Sequence, residues 1–256
     1  MEELIRTQTG IEGLDKALNG GIPEGNVVLV AGGAGTGKST LCLQIIVEGA
    51  LKFKEKGLYL STEQTKKELY KQADGFGWGL AKLEEENLIK LVYFDVTQGD
   101  SFLEKMSVLI QDFQPKRIVI DSLTTLTDSM LVSGVLEDKG FSMVQIAETI
   151  NPIPRTEKIM NKTLLYHLFK EIKLHGITTF LTTELPEDHK QLSADGVSEF
   201  IADGVLTVNY LGVGSSEFRS LQIRKMRYSD HEKDVLPYQI TSDGIIINDN
   251  TSTFGI

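Results

Sequence analysis

Over roughly the first two-thirds of the chain, short apolar runs alternate with longer stretches of helical periodicity. Val27-Val28-Leu29-Val30 reads as a buried strand, and Thr40-Leu41-Cys42-Leu43-Gln44-Ile45-Ile46 as the helix that follows it. Leu58-Tyr59-Leu60-Ser61-Thr62 reads as a second strand, lying next to the first. Leu91-Val92-Tyr93-Phe94-Asp95-Val96 and Arg117-Ile118-Val119-Ile120-Asp121 read as two more. A helix over 162–174 puts Leu164, Leu165, Leu168, Phe169 and Ile172 on one side, with Lys173, His175 and Gly176 suited to its C-terminal end. The strand Ile177-Thr178-Thr179-Phe180-Leu181-Thr182-Thr183 comes next. After it the pattern is mostly strand. Residues 205–210 and 218–227 pair around Gly212-Val213-Gly214, and residues 237–241 and 245–247 form a hairpin about Ser242-Asp243-Gly244. The predicted class is α/β: a mostly parallel central sheet flanked by helices, with a C-terminal antiparallel extension, in one domain over 1–256.

Capping and breaking residues sharpen these boundaries. Ile11, Leu14 and Leu18 recur at helical spacing, and Gly20-Gly21-Ile22-Pro23 stops that helix, which is expected to pack beside the first strand. Thr65-Lys66-Lys67-Glu68 is a capping box that opens a helix, and Gly75-Phe76-Gly77-Trp78-Gly79 breaks it. Asp100-Ser101 precede a further helix that ends before Pro115. Residues 123–160 contain Gly134, Gly140, Pro152 and Pro154 and read as irregular, with 142–150 the part most suited to a helix.

Composition narrows the class of partner. Asp and Glu number 36 against 26 Lys and Arg, a formal charge of −10, which argues against broad, non-specific binding to a phosphate backbone. The single Cys42 has no partner for an intrachain disulfide and reads as a buried thiol. His167, His175, His189 and His231 are scattered, without a companion at metal-ligand spacing. No apolar run approaches a membrane span, and the N-terminus lacks the form of a signal peptide. A soluble protein of a reducing, cytoplasmic compartment is expected.

The chemistry centres on Gly32-Gly33-Ala34-Gly35-Thr36-Gly37-Lys38-Ser39, which fits G-x-x-x-x-G-K-[ST] between a strand and a helix. Glycines let backbone N–H groups approach phosphate oxygens, and the helix N-terminus adds partial positive charge. Thr40 continues the loop into that helix. Lys38 is the candidate for the β- and γ-phosphates, and Ser39 for Mg²⁺. Asp121, at the end of an apolar strand, is the candidate second Mg²⁺ contact. Glu63, just past the second strand, is the candidate that orients and polarises the attacking water; the plainer reading of a lone strand-end Glu is solvated surface.

Four segments together resemble the RecA-like P-loop ATPases, most closely their KaiC-like branch. They run from Thr9-Gly10-Ile11-Glu12-Gly13-Leu14-Asp15 to the phosphate loop, over Leu60-Ser61-Thr62-Glu63-Gln64, over Ile118-Val119-Ile120-Asp121-Ser122, and from Thr182-Thr183-Glu184 through Gly196 to Gly204 and on to Arg224-Lys225-Met226-Arg227-Tyr228-Ser229-Asp230-His231. The resemblance implies ATP and Mg²⁺ as ligands, hydrolysis with Glu63 as the catalytic glutamate, and a homo-oligomeric ring, often a hexamer, with ATP at subunit interfaces. It implies that Lys225 and Arg227 reach a neighbour's γ-phosphate and that His231 contacts nucleotide; without it, both cations read as ordinary outward strand charges. Gln64 stands where the family often has a second acid, Tyr228 where it often has Gly, and the segment over 123–162 is longer than in compact members. That extra chain suits a lid, a ring contact or a partner surface. Three other outputs fit the resemblance: a DNA-binding recombinase paralogue, an autokinase with Thr251, Ser252 or Thr253 as acceptor, and an ATP-sensing scaffold with little turnover.

Overall fold

The computed structural model describes residues 4–96, 102–133, 154–185, 191–210 and 219–247. The strands are β1 (Arg6–Thr7), β2 (Ile22–Pro23), β3 (Val27–Gly32), β4 (Gly57–Ser61), β5 (Ile89–Tyr93), β6 (Arg117–Asp121), β7 (Thr178–Glu184), β8 (Gly204–Tyr210), β9 (Arg219–Met226), β10 (Leu236–Thr241) and β11 (Gly244–Ile247). The helices are α1 (Glu12–Ala17), α2 (Lys38–Phe53), α3 (Lys66–Gly75), α4 (Leu80–Glu85), α5 (Phe102–Phe113), α6 (Leu123–Ser133), α7 (Pro154–Leu174) and α8 (Ser198–Ile201). Among the described residues, nine strands form one sheet in the order β11–β10–β9–β8–β3–β7–β6–β4–β5, and β1 pairs antiparallel with β2. Pairing from β8 across to β5 is parallel. Pairing from β8 outward through β9, β10 and β11 is antiparallel. The parallel sheet with its antiparallel extension is the predicted architecture.

Alternation along each parallel strand sends side chains to two cores. Val28 and Val30, with Tyr59, Val119 and Phe180, join an apolar cluster with α1, α2, α3, α4 and the β9–β11 extension. Val27 and Leu29, with Leu58, Leu60, Ile118 and Ile120, join a second cluster with α5, α6 and α7. Every residue of β3, β4 and β6 is buried, as expected for parallel strands covered on both faces.

The topology corrects the strand order. β4 is not beside β3, because β7 and β6 lie between them. The chain crosses over after α2 and fills the gap later, which sequence adjacency does not reveal. α1 shares its cluster with Val28 and Val30, yet its Gly13 backs onto β11, where an added Cβ would meet the Ile247 carbonyl oxygen at 2.3 Å.

Three stretches differ in secondary structure. Residues 123–133, read as irregular, form α6, whose Leu123 and Leu126 are buried in the second cluster. Its threonines are weak helix formers, but packing outweighs that preference. Residues 154–160, read as irregular, instead form the first turns of α7, which begins at Pro154 rather than at 162; at a helix's first position proline's missing N–H costs nothing. The short α4, unforeseen, buries Leu80 and Leu83. The capping box at Thr65 and Glu68 is present in full. Residues 100–101, 142–150, 186–190, 212–214 and 251–253, on which several expectations fall, lie outside the described residues.

Candidate nucleotide site

In a parallel sheet, ligands bind beyond the carboxyl ends of the strands. Gly32 ends β3, Ser61 ends β4 and Asp121 ends β6, and the register aligns Ser61 with Asp121. The phosphate loop, Glu63 and Asp121 therefore share one edge.

The loop is shaped by glycines at two places where a side chain would not fit. A Cβ on Gly32 would lie 2.3 Å from the Val208 carbonyl oxygen. Gly37, the N-cap of α2, has φ 97°, and a Cβ there would lie 2.8 Å from Ile240 Cδ1. Lys38 opens α2 and folds back, its Nζ donating to the carbonyls of Gly32 (3.0 Å) and Gly33 (2.9 Å). Two of its three N–H donors are engaged this way. Thr36 Oγ1 donates to the Gly33 carbonyl at 2.9 Å. Ala34 and Gly35 are exposed, Ser39 is half-buried, and Gln72 Nε2 donates to Thr40 Oγ1 at 3.0 Å. Two tyrosines brace the loop: Tyr210, at the end of β8, donates to the Gly35 carbonyl at 2.7 Å, and Tyr238, on β10, donates to the Thr36 carbonyl.

Asp121 is 3% exposed. Its carboxylate accepts hydrogen bonds from Tyr59 and Thr182, and among the described residues no basic side chain forms an ion pair with it. A buried carboxylate balanced by hydroxyls alone is suited to a cation, which is the chemistry expected of a nucleotide-bound Mg²⁺ contact. Glu63 is exposed; Ser122 Oγ and Thr125 Oγ1 both donate to its Oε1, the latter at 2.7 Å.

One electrostatic neighbourhood links these groups. Burial pushes the Cys42 thiol well above its ordinary pKa; the charge of Asp121 adds to the rise and Lys38 opposes it. Burial also raises the Tyr59 hydroxyl, and Asp121, Cys42 and Glu63 raise it further.

Three predicted residues are not part of this cluster. Strand β9 runs antiparallel to β8, so Lys225 pairs with Val205 and Met226 with Gly204, while Arg219 pairs with Tyr210 at the loop end. Gly204 in turn pairs with Val28, near the start of β3. Lys225, Arg227 and His231 thus lie toward the opposite edge of the sheet from their own phosphate loop. Lys225 Nζ donates to the carbonyls of Glu199, Phe200 and Ala202, and Arg227 donates to Asp203 Oδ1 at 3.0 Å. Burial, then the neighbouring Arg227, lowers the Lys225 pKa. His231 Nδ1 lies 2.8 Å from the Glu232 carbonyl oxygen.

Sequence reasoning missed Tyr59, Thr182, Tyr210 and Tyr238. The available signal was a polar tip inside a buried run, as in Leu58-Tyr59-Leu60, since a buried tyrosine hydroxyl usually finds a partner.

A family model described as "ATPase: KaiC" matches residues 7–138 and 135–252. The chain belongs to the KaiC ATPase family. It is 30% identical to the circadian clock oscillator protein KaiC of Synechococcus elongatus over 258 residues, covering 96% of this chain and 44% of that protein. The chain therefore spans less than half the length of the KaiC proteins it matches. It is 28% identical to UPF0273 protein MJ1359 of Methanocaldococcus jannaschii, covering 94% of this chain and 96% of that one. The crystal structure of the KaiC-like protein PH0186 from Pyrococcus horikoshii aligns with a TM-score of 0.77 and 32% identity, covering 96% and 100% of the two chains. The fold is that of a RecA-like α/β P-loop NTPase, and the family is one of ATPases. Among the described residues, no helix is long and apolar enough to cross a membrane.

Proposed function

We propose that this KaiC-family chain binds Mg²⁺-ATP at the loop over 32–39, hydrolyses it, and acts as a cytoplasmic homo-oligomeric ring with nucleotide at its subunit interfaces, six subunits being the expected size. The observation that carries the reading is the convergence of Lys38, Asp121 and Glu63 on one sheet edge beside a phosphate loop. Backbone N–H groups of residues 32–37 and the start of α2 cradle the phosphates, and Thr40 contributes at the start of the helix. Lys38 exchanges its carbonyl partners for the β- and γ-phosphate oxygens. Ser39 and Asp121 hold Mg²⁺, which supplies charge neutralisation at the phosphates. Glu63 orients the water and takes up its proton.

Lys225 and Arg227 lie about six residue steps along β8 from the loop end, roughly 20 Å at ~3.3 Å per residue. That separation favours action on a neighbour's γ-phosphate, with His231 on the same neighbour's nucleotide. Such cations stabilise charge developing on the transferred phosphoryl group. Light scattering with and without Mg²⁺-ATP, with phosphate release measured on the same sample, tests the reading. The expected result is a nucleotide-dependent oligomer with turnover; a monomer that releases no phosphate contradicts it.

A second reading, an ATP sensor with little turnover, rests on one observation. The two hydroxyls on Glu63 Oε1 compete with water for that oxygen. Tight Mg²⁺-ATP binding and assembly without phosphate release would favour it.

A further inference from the structure

The Asp121 carboxylate is held from both sides by strands that flank β6. Tyr59 OH donates to Oδ2 at 2.6 Å, and Thr182 Oγ1 donates to Oδ1 at 2.5 Å. On β4, Ser61 is the direct partner of Asp121, so Tyr59 is its diagonal neighbour on the same face. On the other side, β6 and β7 pair Ile120 with Leu181, which brings Thr182 level with Asp121. Both hydroxyl residues are fully buried. Each carboxylate oxygen therefore receives one neutral donor and keeps lone-pair capacity for a further partner.

We propose that Tyr59 and Thr182 are positioning residues that fix the orientation of the Asp121 carboxylate and thereby set how tightly the nucleotide site takes up a divalent cation. The inference rests on the reading of Asp121 as a Mg²⁺ contact. Partners beyond the direct contacts of a metal orient those contacts, and their loss commonly weakens metal affinity about 10- to 100-fold. The Tyr59 ring packs in the first apolar cluster, so Tyr59→Phe keeps the packing and removes only the hydroxyl. A tyrosine hydroxyl carries one donor proton, and here it is spent on the Asp121 carboxylate. In each variant one carboxylate oxygen is left without its donor, and the carboxylate loses one of the two bonds that fix its rotamer.

The test compares wild type, Tyr59→Phe and Thr182→Val in two measurements without turnover. The first is the ratio of ADP dissociation constants in EDTA and in excess Mg²⁺. The second is a Mn²⁺ titration of the ADP complex followed by electron paramagnetic resonance. The expected result is a Mn²⁺ affinity about 10-fold weaker in each variant, a smaller Mg²⁺ effect on ADP binding, and ADP affinity in EDTA close to wild type. A purely structural role would weaken ADP binding equally with and without metal and leave the ratio unchanged; that result overturns the proposal, as does tighter Mn²⁺ binding. If one variant does not fold, the other decides. A wild-type protein whose ADP binding ignores Mg²⁺ refutes the Mg²⁺ reading itself. A metal-dependent wild type with unaltered variants refutes only the roles of Tyr59 and Thr182.

Discussion

Val205 pairs with Lys225 across the β8–β9 ladder, and that register fixes Lys225 near the start of β8, away from the loop that follows β3. All three ammonium donors of Lys225 are occupied by carbonyls of Glu199, Phe200 and Ala202. In a catalytic interface that ammonium has to give up some of those partners for a phosphate. If each site combines the loop of one subunit with the cations of the next, two different defects complement one another. Lys38→Ala and Lys225→Ala proteins are expected to be inactive alone. Dissociated and reassembled as an equal mixture, about a quarter of interfaces pair an intact loop with an intact Lys225, on the symmetry of a head-to-tail ring. Phosphate release from the mixture near that fraction of wild type is the expected outcome. No recovery on mixing, in rings shown to exchange subunits, rules out the shared site.

Glu63 offers a cleaner separation of binding from chemistry. Gln at this position keeps a carbonyl oxygen able to accept from Ser122 and Thr125 and loses only the negative charge. Glu63→Gln is expected to reduce turnover roughly 100-fold or more, the usual scale for removing a general base. The melting temperature and ATP affinity should stay near wild type. Single-turnover phosphate release and equilibrium nucleotide binding on the same preparation check both halves.

The sequence carried β3, β4 and β6 because each is built on a short apolar run, and β7 because its threonines are β-branched around Phe180 and Leu181; it carried the loop because glycine, lysine and hydroxyl stand at fixed spacing. It did not carry the insertion of β7 and β6 between β3 and β4, which depends on crossover geometry. That insertion brings Thr182 onto Asp121. The bracing of the loop by Tyr210 and Tyr238 was equally hidden, because those contacts join residues about 175 and 202 positions apart in the chain. α6 was lost for a different reason: its threonines suit strands, and only packing makes the segment helical. The opposition of Lys225 to its own loop needed the antiparallel register, which pattern alone leaves open.

Cys42 reports on the floor of the site. It is fully buried in α2, and burial together with Asp121 pushes its pKa up, so the reactive thiolate is scarce in the native protein. Alkylation by iodoacetamide at pH 8 is expected to be at least about 10-fold slower than in denaturant. Because the charge of Lys38 opposes the rise, Lys38→Met should slow native-state labelling further. Mass spectrometry of time-quenched samples measures both, and native labelling as fast as in the denatured chain contradicts the burial argument.

The loop's conformation depends on the extension behind it. Tyr238 is 2% exposed and donates its hydroxyl to the Thr36 carbonyl, while Ile240 of the same strand fills the space that a Gly37 side chain would need. Tyr238→Phe keeps the ring and deprives that carbonyl of its donor, a loss of about 1 kcal/mol and roughly 2–4 °C in melting temperature for a chain of this size. ATP affinity should weaken several-fold, since the unbraced loop must be ordered on binding, about as much as one ordinary hydrogen bond contributes. Gly37→Ala should do far more harm, because φ 97° strains any residue with a Cβ even when Ile240 gives way. The double variant Gly37→Ala/Ile240→Ala separates the two causes. It relieves the clash and leaves the backbone strain, so nucleotide binding should stay lost; full recovery would assign the glycine to space alone.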